Sequence, residues 1–216
     1  MVSERFIAIV GAGMGGLAAA ATLRSIGMKV HVYEQAARFE RIGAGIQMMP
    51  NSMKVLRQIG IEDMLIKSSF SPYSHLNREW NTGKVLRELP MPEELFGAPY
   101  LCMHRADLTS ALSSAVPSDV IHFNKKLIGL DENSSGVSLT FHDGTSVVAD
   151  AVVGADGVHS IVRDIVVGPD EPIHKGRIAY RAVFSADRMS GRDIGQSRTK
   201  WWGIDRHIVM YYVTAQ

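Results

Sequence analysis

The chain has 216 residues, enough for one large domain or for one domain and part of another. Its 46% hydrophobic and 21% charged residues suit a globular protein with a sizeable core, and a formal net charge of +1, with both signs scattered, gives no electrostatic case for nucleic acid or an anionic membrane. The single cysteine, Cys102, excludes an intramolecular disulfide, no Cys/His spacing matches a zinc or other metal site, and no apolar run reaches membrane-spanning length.

The first residues run directly into a strand and leave no room for a signal peptide, so a cytoplasmic protein is expected. Phe6 to Val10 is an apolar run of strand length that leads into Gly-x-Gly-x-x-Gly at Gly11, Gly13 and Gly16, with Gly15 between. Leu17, Ala20, Ala21 and Leu23 follow among good helix formers, and Gly27 suits a helix C-terminus, where a left-handed residue carries no Cβ penalty. A second strand through Val30 and Val32 ends on Glu34, eighteen residues past Gly16. In such an arrangement one glycine permits the tight turn, one lets backbone N–H groups approach a pyrophosphate, and one lets the helix pack on the strand. The helix N-terminus favours phosphate, and an acid about 20 residues on grips ribose hydroxyls. A lone glycine-rich match reads as an ordinary turn. Here strand, helix, second strand and acid arrive in order, which predicts dinucleotide binding to an unphosphorylated ribose, as in NAD or the adenosine half of FAD. The motif does not separate those two.

Ile42-Gly43-Ala44-Gly45-Ile46-Gln47 then suggests backbone passing close to something large and flat, with a plain connecting turn as the simpler reading. Pro50-Asn51-Ser52 reads as a helix start with Asn51 or Ser52 as N-cap, the helix ending at Gly60, and Ile61 to Ile66 reads as a second short helix. Asn81-Thr82-Gly83 fits a turn between short strands, and Pro90, Pro92 and Pro99 predict irregular chain up to residue 100. Leu108, Ala111, Leu112 and Ala115 mark an amphipathic helix that opens near Arg105. A cation is unfavourable at that end, which points to a nearby anion or, equally on spacing alone, to an Arg solvated at the surface.

A parallel strand is predicted over Val120 to Phe123, and antiparallel strands over Leu127 to Leu130 and Val137 to Phe141, the last turning at Asp143-Gly144 into Ser146 to Val148. Ala151 to Gly154 reads as a buried strand, followed by a Gly-Ala-Asp-Gly turn and a helix with Ser160 in its first turn and Arg163 in a later one. Asp156 would end that strand at the edge where doubly wound sheets bind ligands. Beyond Pro172, strands are predicted over Ala179 to Phe184, Thr199 to Trp202 and Ile208 to Tyr212, the last two joined by a turn at Gly203 to Arg206.

The stretches Gly11-Ala12-Gly13-Met14-Gly15-Gly16, Met103-His104-Arg105-Ala106-Asp107-Leu108 and Gly154-Ala155-Asp156-Gly157-Val158-His159-Ser160-Ile161-Val162-Arg163, in this arrangement, resemble the single-component FAD-dependent aromatic hydroxylases. These are the group A flavoprotein monooxygenases that include salicylate and 4-hydroxybenzoate hydroxylases. Glu34-Gln35 followed by Arg41 to Ile46, and Lys200-Trp201-Trp202 followed by Asp205-Arg206-His207 and Tyr211-Tyr212, extend the likeness over essentially the whole chain. The resemblance implies an α/β fold with a Rossmann-like FAD-binding domain of the 4-hydroxybenzoate-hydroxylase type, discontinuous over 1–70 and 101–170. A β-sheet substrate domain over 71–100 and 171–216 would accompany it. Because the family continues well beyond Gln216, with a second flavin motif of Gly-Asp-Ala type, more of the substrate sheet and a long helix, the resemblance implies a truncated substrate domain and an N-terminal part only.

By the same resemblance Gly11, Gly13, Gly15 and Gly16 would hold the FAD pyrophosphate and Glu34 the adenosine ribose, with Gln35 and Arg41 beside them. Arg105 would reach toward the pyrophosphate, the backbone at Leu127 would touch the adenine end, and Asp156 and Gly157 would serve both FAD and incoming NAD(P)H. Gly45, Ile46 and Gln47 would lie beside the isoalloxazine, and Gln47, His207 and Tyr211 would face the substrate. Relatives that act on hydroxypyridine acids carry His where this chain has Gln47.

The implied reaction is NAD(P)H- and O₂-dependent hydroxylation of a small phenolic or hydroxy-N-heteroaromatic carboxylic acid through a flavin C4a-hydroperoxide. The ring is activated by loss of its hydroxyl proton, so a base or polar relay is required. His207 is the candidate, since an imidazole exchanges protons near neutrality, although a His satisfied in a hairpin turn is the plainer reading of that residue alone. An unfinished sheet edge favours pairing, which leaves a homodimer open. Two alternatives stand beside this reading: an FAD-binding fragment without hydroxylase activity, and an NAD-dependent Rossmann dehydrogenase. The Gly154-to-Arg163 stretch argues against the second, because ordinary dehydrogenases have no such motif.

Overall fold

The computed structural model describes residues 5–41 and 43–214, so Ile42 of the glycine-rich stretch lies outside the described residues. The first elements are β1 (Phe6–Val10), α1 (Met14–Ser25) and β2 (Lys29–Tyr33). Ile7 to Val10 are all buried, which is why β1 is apolar throughout and shows no alternation. α1 buries Gly16, Leu17, Ala20 and Ala21, one stripe at helical spacing, and Gly27 just past its end adopts φ +83.

β3 (Gly45–Met48), α2 (Pro50–Gln58) and α3 (Glu62–Ser68) follow. The expected caps Asn51 and Ser52 lie inside α2: its N-cap is Met49, and Pro50 takes the first helical position. A proline there gives up an N–H that would be unpaired anyway, and its φ is already helical. β4 (Ser74–Glu79) and β5 (Val85–Pro90) form the expected hairpin. Pro90 corrects the expectation of irregular chain, since it ends β5, an edge strand where a missing N–H costs no ladder bond. α4 (Glu93–Phe96) is a single turn closed by Gly97 in the left-handed region.

β6 (Leu101–His104), α5 (Arg105–Ser114), β7 (Ile121–His122), β8 (Leu127–Asn133), β9 (Gly136–Phe141), β10 (Ser146–Ala149), β11 (Ala151–Gly154) and α6 (Ile161–Val167) complete the middle of the chain. β12 (Arg198–Trp202) and β13 (His207–Met210) close it. Two corrections stand out. Residues 179–184 form no strand and are all exposed, Tyr180 at 93%. An apolar run becomes a strand only where a neighbour completes its ladder, and among the described residues none does so there. β11 is half-exposed and not buried, because it is an edge strand. The last strand also stops at Met210, short of Tyr211 and Tyr212.

The chain divides into two compact units, Met1–Arg41 with Thr109–Ile178 and Ile42–Leu108 with Ala179–Gln216. The first holds a four-stranded, wholly parallel sheet in the order β11-β1-β2-β7 and an antiparallel meander β10-β9-β8. Ala8, Val10, Tyr33, Leu127, Leu139, Phe141, Ala149 and Val162 make a core that joins the sheet to the meander. The second unit holds a sheet in the order β13-β12-β4-β5, in which β12 and β4 run parallel, and the antiparallel pair β3-β6.

Candidate functional site

In the first unit the parallel strands bring their C-terminal ends to one edge, and the chain order reverses between β1 and β11, where doubly wound sheets open a ligand crevice. Gly11 leaves β1 there with φ +101, and a Cβ on it would run into the Ala155 carbonyl. A Cβ on Gly16 would collide with the Gly11 carbonyl. These two glycines therefore allow the loop to close on itself and on the Ala155 loop. Gly13 and Gly15 differ, since a Cβ on either would meet nothing within 4 Å. Gly13 is the N-cap of α1, with no side-chain cap and no acid in the first turn. The free N–H groups of that helix end face an open surface, which suits an anion.

Glu34 stands beside this loop. Its Oε2 accepts from the Ala12 N–H at 2.6 Å and its Oε1 from the Ala36 N–H at 2.8 Å. The acid thus braces the glycine loop, and each oxygen keeps a further lone pair for a hydroxyl donor. Gln35 and Arg41 are exposed on the segment that follows. The side chain of Leu127 is buried in the core, which leaves only its backbone for any ligand contact.

The second loop is wired to the first. The Ala155 N–H donates to Val10 O at 2.8 Å. Asp156 accepts from Ser160 Oγ at 2.5 Å, from the Ile161 N–H at 2.8 Å and from the Val162 N–H at 3.2 Å, while Ser160 Oγ accepts from the Arg163 N–H at 2.9 Å. Asp156 and Ser160 together cap α6, and Gly157, at φ +87, is exposed with open space around it. The open glycines, the uncapped helix end and the adjacent carboxylate fit a dinucleotide's pyrophosphate and ribose.

The second unit builds a polar cluster. β3 pairs with β6 so that Gln47 lies opposite Cys102. Gln47 Oε1 accepts from the Tyr100 hydroxyl at 2.5 Å, and Cys102 Sγ donates to the Tyr100 oxygen at 3.5 Å. A Cβ on Gly45 would lie 2.8 Å from the Tyr211 ring, so the flat object that needs this glycine is Tyr211 itself. Burial raises the pKa of the Tyr211 hydroxyl, as it does that of Tyr100. Ile46, half-buried, sits between the two contact residues.

His75 of β4 is the register neighbour of Arg198 on β12, and its ring lies 4.7 Å from that of Tyr100. Burial, then the Arg198 charge, lower the His75 pKa. His75 Nε2 and Arg198 Nε are buried without a hydrogen-bond partner among the described residues. Sequence reasoning missed Tyr100, Cys102, His75 and Arg198. The available signal was weak, an alternation of polar residues along strands whose pairing joins distant segments.

His207 lies on the β12-β13 pair. It is exposed, opposite Trp202 in the β12-β13 pair, with ring centroids 5.5 Å apart. Among the described residues its ring packs against that of Trp202. Trp202 donates to Asn77 at 2.9 Å and carries the Lys200 ammonium over its ring. Arg105 is exposed at the start of α5, its N–H donating to Ala44 O at 3.0 Å, and its side chain crosses Gly43, where a Cβ would lie 3.1 Å away. His104 Nδ1 accepts from the Ala106 N–H at 3.1 Å and so caps this helix end.

Residues 5–175 match the family described as FAD binding domain. Over 213 residues the chain is 41% identical to 6-hydroxynicotinate 3-monooxygenase of Bordetella bronchiseptica, covering 97% of this chain and 56% of that protein. The structure of 2,6-dihydroxypyridine-3-hydroxylase from Arthrobacter nicotinovorans superposes with a TM-score of 0.70 at 26% identity, over 92% of this chain and 49% of that one. Klebsiella pneumoniae HpxO, solved with FAD and uric acid, shares the fold at a TM-score of 0.81 and 24% identity, over 100% of this chain and 55% of that one. The chain thus spans about half the length of the proteins it matches. Among the described residues no helix is long and apolar enough to cross a membrane.

Proposed function

The chain belongs to the FAD binding domain family, and on that premise we propose that it holds FAD as part of an NAD(P)H-dependent monooxygenase acting on a small phenolic or hydroxy-heteroaromatic carboxylic acid. The observation that carries this reading is the pair of loops at one sheet edge, Gly11 to Gly16 packed against Gly154 to Gly157, with an uncapped helix end and the Glu34 carboxylate beside them. The similarity to 6-hydroxynicotinate 3-monooxygenase supports the substrate class.

In this reading the N–H groups of Gly13, Gly15 and Gly16 bind the pyrophosphate, and Glu34 accepts from ribose hydroxyls while it braces the loop. Gln35, Arg41, Arg105 and the Leu127 backbone add cofactor contacts. Asp156 holds its loop in place, so that Gly157 leaves room for FAD and for incoming NAD(P)H. The backbone at Gly45 and Ile46 lies along the isoalloxazine, Gln47 and Tyr211 orient the substrate, and His207 takes up its hydroxyl proton. Bound FAD supplies hydride acceptance from NAD(P)H and activation of O₂. By role, 1–70 and 101–170 serve the cofactor, and 71–100 and 171–216 the substrate.

Purified protein incubated with FAD is expected to keep a flavin absorption spectrum through desalting, and its NAD(P)H oxidation to rise with hydroxylated aromatic acids. Retained flavin with no stimulation by any acid would withdraw the hydroxylase reading. A colourless sample would withdraw FAD binding too.

A further inference from the structure

The second unit holds a half-buried guanidinium with no anion to balance it. Arg198 of β12 and His75 of β4 are register partners. Neighbouring strands lie about 4.8 Å apart and register partners leave the sheet on one face, so the two side chains start side by side. Arg198 Nε and His75 Nε2 are both closed off from solvent with no hydrogen-bond partner among the described residues. Nor does any carboxylate among the described residues pair with Arg198. Burial first, and then the Arg198 charge, lower the pKa of His75 and of Lys200, which leaves the same face two residues on. A guanidinium can only donate, and a neutral imidazole with its proton on Nε2 donates as well. A carboxylate, with two oxygens and a negative charge, accepts from both and balances the cation.

The pair adjoins the Tyr100 cluster. The Tyr100 ring lies 4.7 Å from that of His75, and the Tyr100 hydroxyl donates to Gln47 Oε1 at 2.5 Å. Gln47, which the proposed function gives to the substrate, is thus linked to His75 through one side chain. We propose that Arg198 and His75 together bind the carboxylate of the substrate, each donating the N–H that the free protein leaves orphaned. This rests on the reading of the protein as a hydroxylase of aromatic acids, and it names two residues that select for the acid group. A buried charge costs stability unless it is paired, so Arg198 burdens the free fold and gains its partner only when an acid binds.

The test is calorimetric titration of the protein with 6-hydroxynicotinate and 3-hydroxybenzoate, each against its neutral carboxamide, with melting temperatures of the ligand-free protein alongside. The wild type should prefer the acids. Arg198→Met should weaken acid binding about tenfold or more, the worth of a hydrogen bond between charged groups, and leave carboxamide binding within about twofold. Its ligand-free melting temperature should equal or exceed that of the wild type, the opposite of what loss of a structural ion pair gives. His75→Leu should weaken acid binding about threefold or more, and His75→Gln, whose amide N–H can take the place of Nε2–H, should restore it.

An Arg198→Met variant that keeps the wild-type preference for acids, loses acid and carboxamide binding alike, or melts well below the wild type or fails to fold overturns the proposal. So does a His75→Leu variant that binds acids as the wild type does, or a His75→Gln variant that binds them no better than His75→Leu. A wild type that binds neither acid better than its amide overturns it as well. If aromatic acids still stimulate NAD(P)H oxidation in that last case, the proposed function survives while this inference falls. A preference for acids that depends on Arg198 and His75, without any stimulated oxidation, keeps the carboxylate site and withdraws the hydroxylase reading.

Discussion

At the scale of single residues, His31 and His122 form a pair that responds to acid. His31 Nδ1 lies 2.7 Å from His122 Nε2, the rings are parallel with centroids 5.0 Å apart, and Tyr33 stacks on His122. One imidazole must donate and the other accept, so the bond survives only while at least one is neutral. Burial, then His122, Lys29 and Arg24, lower the His31 pKa against an opposing effect of Asp119, and burial, then Lys125, lower that of His122, again against Asp119. Both folded values lie below the ordinary 6.5, so as pH falls below 6.5 the unfolded chain takes up protons that the folded chain resists. The stabilisation is complete above pH 6.5 and is lost below it. Melting temperatures recorded from pH 8 to pH 5 should fall in acid, and His122→Asn should flatten that slope. An identical slope in the variant would sink the account.

At the scale of elements, the Gly154-to-Arg163 stretch serves as a helix cap before it serves any ligand. Asp156 accepts two backbone N–H groups of α6 and the Ser160 hydroxyl, and Ser160 accepts a third N–H. Ser160→Ala should cost about 1 kcal/mol, the usual worth of an N-cap, and Asp156→Ala more, since it strips several bonds at once. Both losses should appear in chemical denaturation of FAD-free protein. If they appear only when FAD is present, Asp156 acts on the cofactor and not on the helix. The capping pattern was readable, a Ser one position before an apolar helical run. That Asp156 would reach over the same helix end depended on the turn at Gly157.

At the scale of the whole molecule, a ligand that binds only the folded state raises its stability, by about 2.7 kcal/mol at a hundred times Kd. FAD should therefore raise the melting temperature of the wild type. Gly16→Ala should abolish that shift, because its Cβ needs the space of the Gly11 carbonyl. A shift preserved in the variant would remove the glycine loop from the binding site. The sequence by itself determined β1, α1, β2, the glycine loop and the β8-β9-β10 meander, because apolar period, turn residues and caps act between neighbours in the chain. It also carried the family, through motifs whose spacing is local. Only the tertiary structure decided that residues 179–184 go unpaired, that β12 lies beside β4, and that Tyr100 meets Gln47 from 53 residues away. Strand ladders and buried polar groups are satisfied by whichever partner packing delivers, and no window of sequence contains both halves of such a bond.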